Sequence, residues 1–487
     1  MRPTAGGDAM RDGGGGRAGR LGSDGRRRPA WLGFAAICAI AVVSSVMMLA
    51  RREAPPAGAS MWLFARLHRD IYVPAVEDWN RTREPTVRMS LLGVQAMEQR
   101  TLSSFLSGTR SAELMEVERR IAARAFAGPV ESVGFLDLTD RLREEGLLEA
   151  INASSFTPWT SRGRIFGLPH DVHPVMLGYR ADIVEAAGID VSTIETWDDF
   201  VRTLRPLMYD AGGAKRTDRY LLNLWETHQD VLEMLLLQAG GGIIDERGLP
   251  MLDAPVNARV LARAVSWGHG PDRIAADAPY FSAAGNRLLL DGYVLASFVP
   301  DWMCNIWRKE IPELGGKVKL MPLPAWEKGG RRTSAWGGTM LGISRDAPNP
   351  EECWAFAKHL YLSPELSRRL YTEGDIITPV KAFWSDPVFD EPDAYFGGQA
   401  RGRAYINLAP QTPPRYNSPF SALALDRLRS AATQLAAYAD AHPPATPESL
   451  EPEAARLLKA MQADIMRHVR RNRFFAEDAP PDDGVQP

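Results

Sequence analysis

Residues 166–200 read FGLPHDVHPVMLGYRADIVEAAGIDVSTIETWDDF. Pro169 and Pro174 bracket His170, Asp171, Val172 and His173, so this part cannot be helical. Val175 to Tyr179 is a short apolar run, the pattern of a buried strand. Ala181 to Ala187 predicts a compact helix that stops at Gly188, a residue suited to the left-handed turn after a helix. Thr196 fits the N-cap of a second helix. Asp198 and Asp199 then fall in its first turn, where the helix dipole favours negative charge.

Strand and helix patterns alternate on both sides of this stretch, which argues for α/β architecture with mostly parallel sheets. Upstream, Ile71 to Arg81 predicts a helix with Trp79 on its apolar face, and Thr86 to Leu92 predicts a strand. Leu114 to Val117 is a further short strand, and Asp140 to Glu145 a helix. Downstream, a helix beginning at Trp225 carries Leu232, Leu235, Leu236 and Ala239 on one face and ends at Gly240-Gly241-Gly242. That glycine triplet lacks the following Lys-Ser/Thr of a phosphate loop. Asp291 to Phe298 is a strand whose following loop carries Asp301 and Trp302, and Met340 to Ile343 is another strand.

The chain has 487 residues, 45% apolar, with a net charge of −3. That length supports two or three domains with real cores, and the charge excludes a typical nucleic-acid binder. The cysteines Cys38, Cys304 and Cys353 form no CxxC or Cys/His pattern, so neither a disulfide scaffold nor a structural zinc site is expected. No metal or cofactor is expected anywhere in the chain.

Residues 1–28 are rich in Gly and Arg and nearly free of large apolar side chains, as in a disordered tail. Residues 29–50 then run without a charge, long enough to cross a hydrocarbon core. Arg26, Arg27 and Arg28 before this run predict a cytoplasmic tail and an exported body. An uncleaved signal anchor fits. So does a long signal peptide cut near residues 48–50 or 57–59. Cys38 follows Ile37, where a lipobox needs a small residue. The body is thus expected on the cell membrane facing outward, or free in the periplasm if the signal is cleaved.

The order of these elements resembles the family 1 extracellular solute-binding proteins, the maltose-binding-protein-like sugar receptors of ABC importers. The likeness is carried by "AAGID…TWDDF", "FLDLTD" at 135–140, "LLLQAGGGIIDERG" at 235–248, Asp301-Trp302, Gly337-Gly338 before the 340–343 strand, and "GDIITPV" at 374–380. It spans roughly residues 60–470. It implies a two-lobed periplasmic-binding-protein type II fold with an interlobe cleft. Lobe 1 would be 60–170 plus 338–376, and lobe 2 171–337 plus 377–470, with a disordered tail over 471–487. It also implies three hinge crossovers, an ABC permease as membrane partner, a monomer, and no catalysis.

Sugars present hydroxyls at their edge and apolar CH faces, so a receptor needs flat aromatic platforms and a few aimed polar groups. Trp159, Trp225, Trp302 and Trp336 fall in predicted loops or element ends. Trp302 and Trp336 also match pocket positions of the family. Asp171 and Asp301 are candidate acceptors for vicinal hydroxyls, and Glu116 completes the set. His170 and His173, three apart in a non-helical segment, suit ligand contact or loop hydrogen bonding better than metal ligation. Glu116 and Glu118 on one face of a strand are what a glycosidase could use. However, no GxSxG or zincin motif accompanies them. A membrane-tethered sensory receptor is the other alternative.

Overall fold

The computed structural model describes residues 30–50, 58–224, 228–270 and 272–475. These fall into two compact units that part after Ala57. In the first, Ala30–Ala50 forms a 21-residue helix without a charge. The side chains at 30–34, 36 and 48–50 lie outside the described set, and no helix among the described residues is long and apolar enough to cross a membrane. The sequence-based membrane span is therefore represented by a helix alone, and the 1–28 tail lies outside the described residues.

The second unit holds two five-stranded sheets. In the first, Ala59–Leu63 lies parallel between Val87–Leu91 and Leu114–Glu118. Thr339–Ile343 then runs antiparallel to both Leu114–Glu118 and Leu168–Pro169. In the second, Val175–Arg180 lies antiparallel between Val318–Pro322 and Val294–Pro300. Tyr220–Asn223 and Ala275–Ala276 extend that sheet in parallel. The sheets are mixed rather than mostly parallel. Thr339–Ile343 and Val175–Arg180 each enter from the other sheet and so run against their neighbours.

Alternation along Leu114–Glu118 builds two cores. Leu114 joins Ile71, Tyr72, Phe356 and Leu360 beneath the helices Arg66–Thr82 and Pro350–Tyr361. Met115 and Val117 join Phe126, Phe135 and Trp159 on the opposite face. Glu116 shares the face of Leu114 and is fully buried. The second sheet packs Leu177, Leu222 and Phe298 against Leu235, Val265, Leu435 and Leu458. Each such apolar side chain contributes about 1.5–3 kcal/mol on burial.

The local expectations around residues 166–200 hold. Val175–Arg180 is buried throughout, Ala181–Ala186 ends before Gly188 at φ +71°, and Thr196 forms a capping box with Asp199. The helix expected from Trp225 starts at Gln229 instead, and Trp225 lies outside the described residues. At the other end, the final helix runs Pro447–Arg471, and order continues past it. Phe475 is 1% exposed, edge-on to Phe420 and beneath Arg162. A disordered tail starting at 471 is thus corrected for 471–475, because Phe475 buries an aromatic ring. Residues 476–487 lie outside the described set.

The chain passes between the sheets three times, and the passages lie side by side. His170 N donates to Thr339 O at 3.0 Å and Val172 N to Ile377 O at 3.2 Å. Trp336 N donates to His173 O at 3.4 Å. These bonds join the segments at 170–174, 335–339 and 376–378 into one strap.

Candidate functional site

His173 is the centre of that strap. It adopts a left-handed φ of +54°, uncommon for a residue with a Cβ. Its two ring nitrogens meet two carboxylates, Nε2 to Asp171 Oδ2 at 2.9 Å and Nδ1 to Asp301 Oδ1 at 2.8 Å. Asp301 Oδ2 accepts from Ile377 N at 2.7 Å. Burial alone would lower the His173 pKa, but Asp171 and Asp301 push it up to about 10. Burial likewise opposes ionisation of Asp171, yet the His173 cation holds its carboxyl well below the usual range. His173 is therefore an imidazolium clamped between two carboxylates.

Asp171 also takes His170 Nδ1 at 2.9 Å. His170 in turn lies 4.6 Å, ring to ring, from His68. Glu116 accepts from His68 Nδ1 at 2.8 Å, Tyr72 OH at 2.6 Å and Tyr361 OH at 3.0 Å. Burial favours the neutral acid at Glu116, but His68, His170 and the Tyr72 hydroxyl hold its pKa below the ordinary value.

A second group is aromatic. Trp302, partly buried, stacks on Phe281 with centroids 6.0 Å apart and planes 18° from parallel. Trp336 meets Trp302 edge-on at 6.1 Å and Tyr280 edge-on at 5.3 Å, with His228 at 5.6 Å. Trp302 Nε1 donates to Trp336 O at 2.9 Å, which fixes the indole. Phe281 is 51% exposed and holds φ +59°, a strained conformation for an aromatic residue.

A third group is ionic and joins distant parts of the chain. Arg119, just after the Leu114–Glu118 strand, makes a bidentate pair with Glu233 at 3.1 and 2.8 Å. Arg415 bonds Glu233 at 3.1 Å through Nε and again through Nη2, Asp230 at 2.9 Å, and Gly337 O at 3.0 Å. Asp230 and Glu233 sit near the start of the Gln229–Gln238 helix, where its dipole favours them. Nearby, Glu118 is half-buried and its pKa is raised, first by burial, with Asp230 and Glu98 adding to the effect and Arg120 opposing it.

The residues singled out from sequence thus divide. Trp302 stands at the aromatic group with its face toward Phe281. Trp336, 4% exposed, backs it. Asp171, Asp301 and His170 are buried in the strap and paired with one another or with backbone. Glu116 is 0% exposed in the core of the first sheet, and Trp159 is 1% exposed behind Gly338. Sequence reasoning overlooked Phe281, Tyr280, His228, Arg119, Glu233 and His68. Only Phe281 left a local trace, an aromatic beside Tyr280 ahead of the Ser282 cap. One cavity of about 20 Å³ is lined by Tyr280, Phe281 and Trp307. Another, of about 780 Å³, lies beside the edge strand Val318–Pro322, away from these groups.

The sequence profile of the bacterial extracellular solute-binding proteins matches residues 68–365. The chain belongs to that family, whose members bind solutes and do not transform them. It is 25% identical over 343 residues to an arabinooligosaccharide-binding protein of Halalkalibacterium halodurans, covering 69% of this chain and 74% of the relative. A protein of the same name from Bacillus subtilis is 24% identical over 308 residues, 61% and 68% of the two chains. The sugar-binding protein MalE of Xanthomonas citri has the same fold, with a TM-score of 0.64 at 14% identity over 84% of this chain and 98% of its own.

Proposed function

We propose that this chain is the extracytoplasmic receptor of an ABC importer and binds an oligosaccharide between two hinged lobes. The lobes are taken as 60–170 with 338–376 and 171–337 with 377–470. The observation that carries the reading is the stacked Phe281–Trp302 pair, an exposed ring held in strained backbone beside a fixed indole. Such a surface suits the CH face of a sugar ring. Glu118, half-buried at the end of its strand, is a candidate acceptor for hydroxyls. Trp225 stays in the proposed set on its sequence position. Asp171, Asp301, His170 and Glu116 are assigned to holding the hinge, and Trp159 and Trp336 to backing the site. The names of the two arabinooligosaccharide-binding relatives support pentose oligosaccharides as the first class to test.

Closure of the lobes would give a membrane permease a shape to read, by population shift between open and closed states. The uncharged Ala30–Ala50 helix, with Arg26–Arg28 before it, supports tethering of the body to the outer face of the membrane. The body is taken to act as a monomer. The test is calorimetric titration of the purified chain with arabino-, malto- and galacto-oligosaccharides. Saturable binding of one class, lost in Trp302→Ala, is expected. Absence of heat with every class would overturn the carbohydrate reading.

A further inference from the structure

We infer that His68, Glu116 and His170 form a binding site for one divalent transition-metal ion, of the type that takes Zn²⁺. Each offers one ligand atom, and the three atoms lie within 4.8 Å of one another. All three residues are buried, at 8%, 0% and 1% exposure. Two histidine nitrogens and one carboxylate oxygen are a donor set that Zn²⁺ accepts.

The independent observation is at His170. Its Nδ1 is engaged by Asp171 Oδ2 at 2.9 Å, so the ring proton sits there. Its Nε2 is buried and has no hydrogen-bond partner among the described residues. A buried ring nitrogen without a partner carries an uncompensated desolvation cost. His170 contributes one ring nitrogen to the three-atom cluster, and Nε2 is the one whose lone pair is free. A carboxylate behind a ligating histidine is the usual means of fixing tautomer and ring orientation at a metal. Glu116 is similarly supported: Tyr72 and Tyr361 both donate to Oε2, at 2.6 and 3.0 Å, leaving Oε1 toward His68.

The ligands come from three elements: the Arg66–Thr82 helix, the Leu114–Glu118 strand and the first passage between the sheets. Bonds of about 2.0–2.2 Å in a tetrahedral site need ligand atoms roughly 3.3–3.5 Å apart, so the trio contracts modestly on binding. The proton on His68 Nδ1, now shared with Glu116, moves to Nε2 of the same ring or to solvent. A bound ion would tie the hinge passage to the lobe-1 core, whichever solute the cleft takes.

The test uses the full-length chain in detergent, stripped with a chelator, dialysed and titrated with Zn²⁺ alone. One equivalent of zinc retained per chain is expected, with a rise in Tm of roughly 3 °C or more. Co²⁺ in place of zinc should give the visible absorption of a four-coordinate nitrogen–oxygen site. Both signals should vanish in Glu116→Gln and in the His68→Ala/His170→Ala double variant, and persist in His442→Ala, an exposed histidine. Wild-type protein that retains no zinc and shows no cobalt band overturns the site. So does a double variant that still holds the equivalent.

Discussion

His173 and Asp301, 128 residues apart in sequence, are joined at 2.8 Å, and through Asp301 the histidine is tied to the Ile377 backbone. One ion pair therefore holds two of the three passages between the sheets, and Trp336 N bonding His173 O adds the third. Asp171 completes the clamp from the other side of the ring.

The clamp sets a pH dependence. An imidazole raised from 6.5 to about 10 contributes stability that is complete below pH 6.5 and is lost as pH rises toward 10. Asp171, with its pKa depressed, contributes stability that is present above its unfolded value of about 4 and lost on acidification. His173→Gln leaves two buried carboxylates without their cation and should cost about 3–5 kcal/mol near pH 6. Urea unfolding of both proteins from pH 6 to 10 should show that difference shrinking. A difference that stays flat with pH would show that His173 is not a buried cation.

Phe281→Gly separates strain from binding. Glycine accepts φ +59° freely, whereas a side chain pays about 1–2 kcal/mol there. The variant should unfold at or above the wild-type temperature. Its oligosaccharide affinity should fall by about 1–3 kcal/mol, as for loss of an aromatic anchor. Trp302→Ala should lose a similar amount of affinity. Unchanged affinity in both, with folding intact, would remove the aromatic platform from the proposal.

Arg119, Glu233 and Arg415 predict a latch. Arg119→Met removes a lobe-1 partner from Glu233 while Arg415 still neutralises it. Stability should change by less than about 1 kcal/mol, since the remaining pair is complete. The open population should grow and solute affinity fall with it. Small-angle scattering of the ligand-free protein is the measurement. An unaltered radius of gyration would mean that the pair does not hold the lobes together. Glu233→Ala, which leaves two buried guanidinium groups with Asp230 as their one remaining carboxylate, should cost about 3–5 kcal/mol.

Gly337 has φ +123°, and a Cβ there would fall 2.5 Å from His173 Cδ2 and 3.0 Å from Trp302 Nε1. Both neighbours are held by hydrogen bonds and cannot move aside. Gly337→Ala should therefore destabilise by more than about 2 kcal/mol. A thermal midpoint within about 2 °C of wild type would contradict this account.

Much of this protein was legible in its sequence because the signals are local. Apolar runs marked Val175–Arg180 and Thr339–Ile343, Thr196 and Asp199 marked a helix start, and Gly188 and Gly240 marked helix ends. Period and caps depend only on near neighbours, so the α/β order and the family resemblance followed from them. The roles of the polar residues did not. Asp171, Asp301 and Glu116 look like free acceptors in the sequence, and only convergence of distant segments commits them to His173, His68 and the tyrosines. The Arg119–Glu233–Arg415 cluster and the stacking of Phe281 on Trp302 likewise join residues with no local relation. A carboxylate buried in low dielectric must find a partner wherever the fold brings one, so tertiary structure decided which side chains are paired between the passages and which, like Phe281, stay exposed.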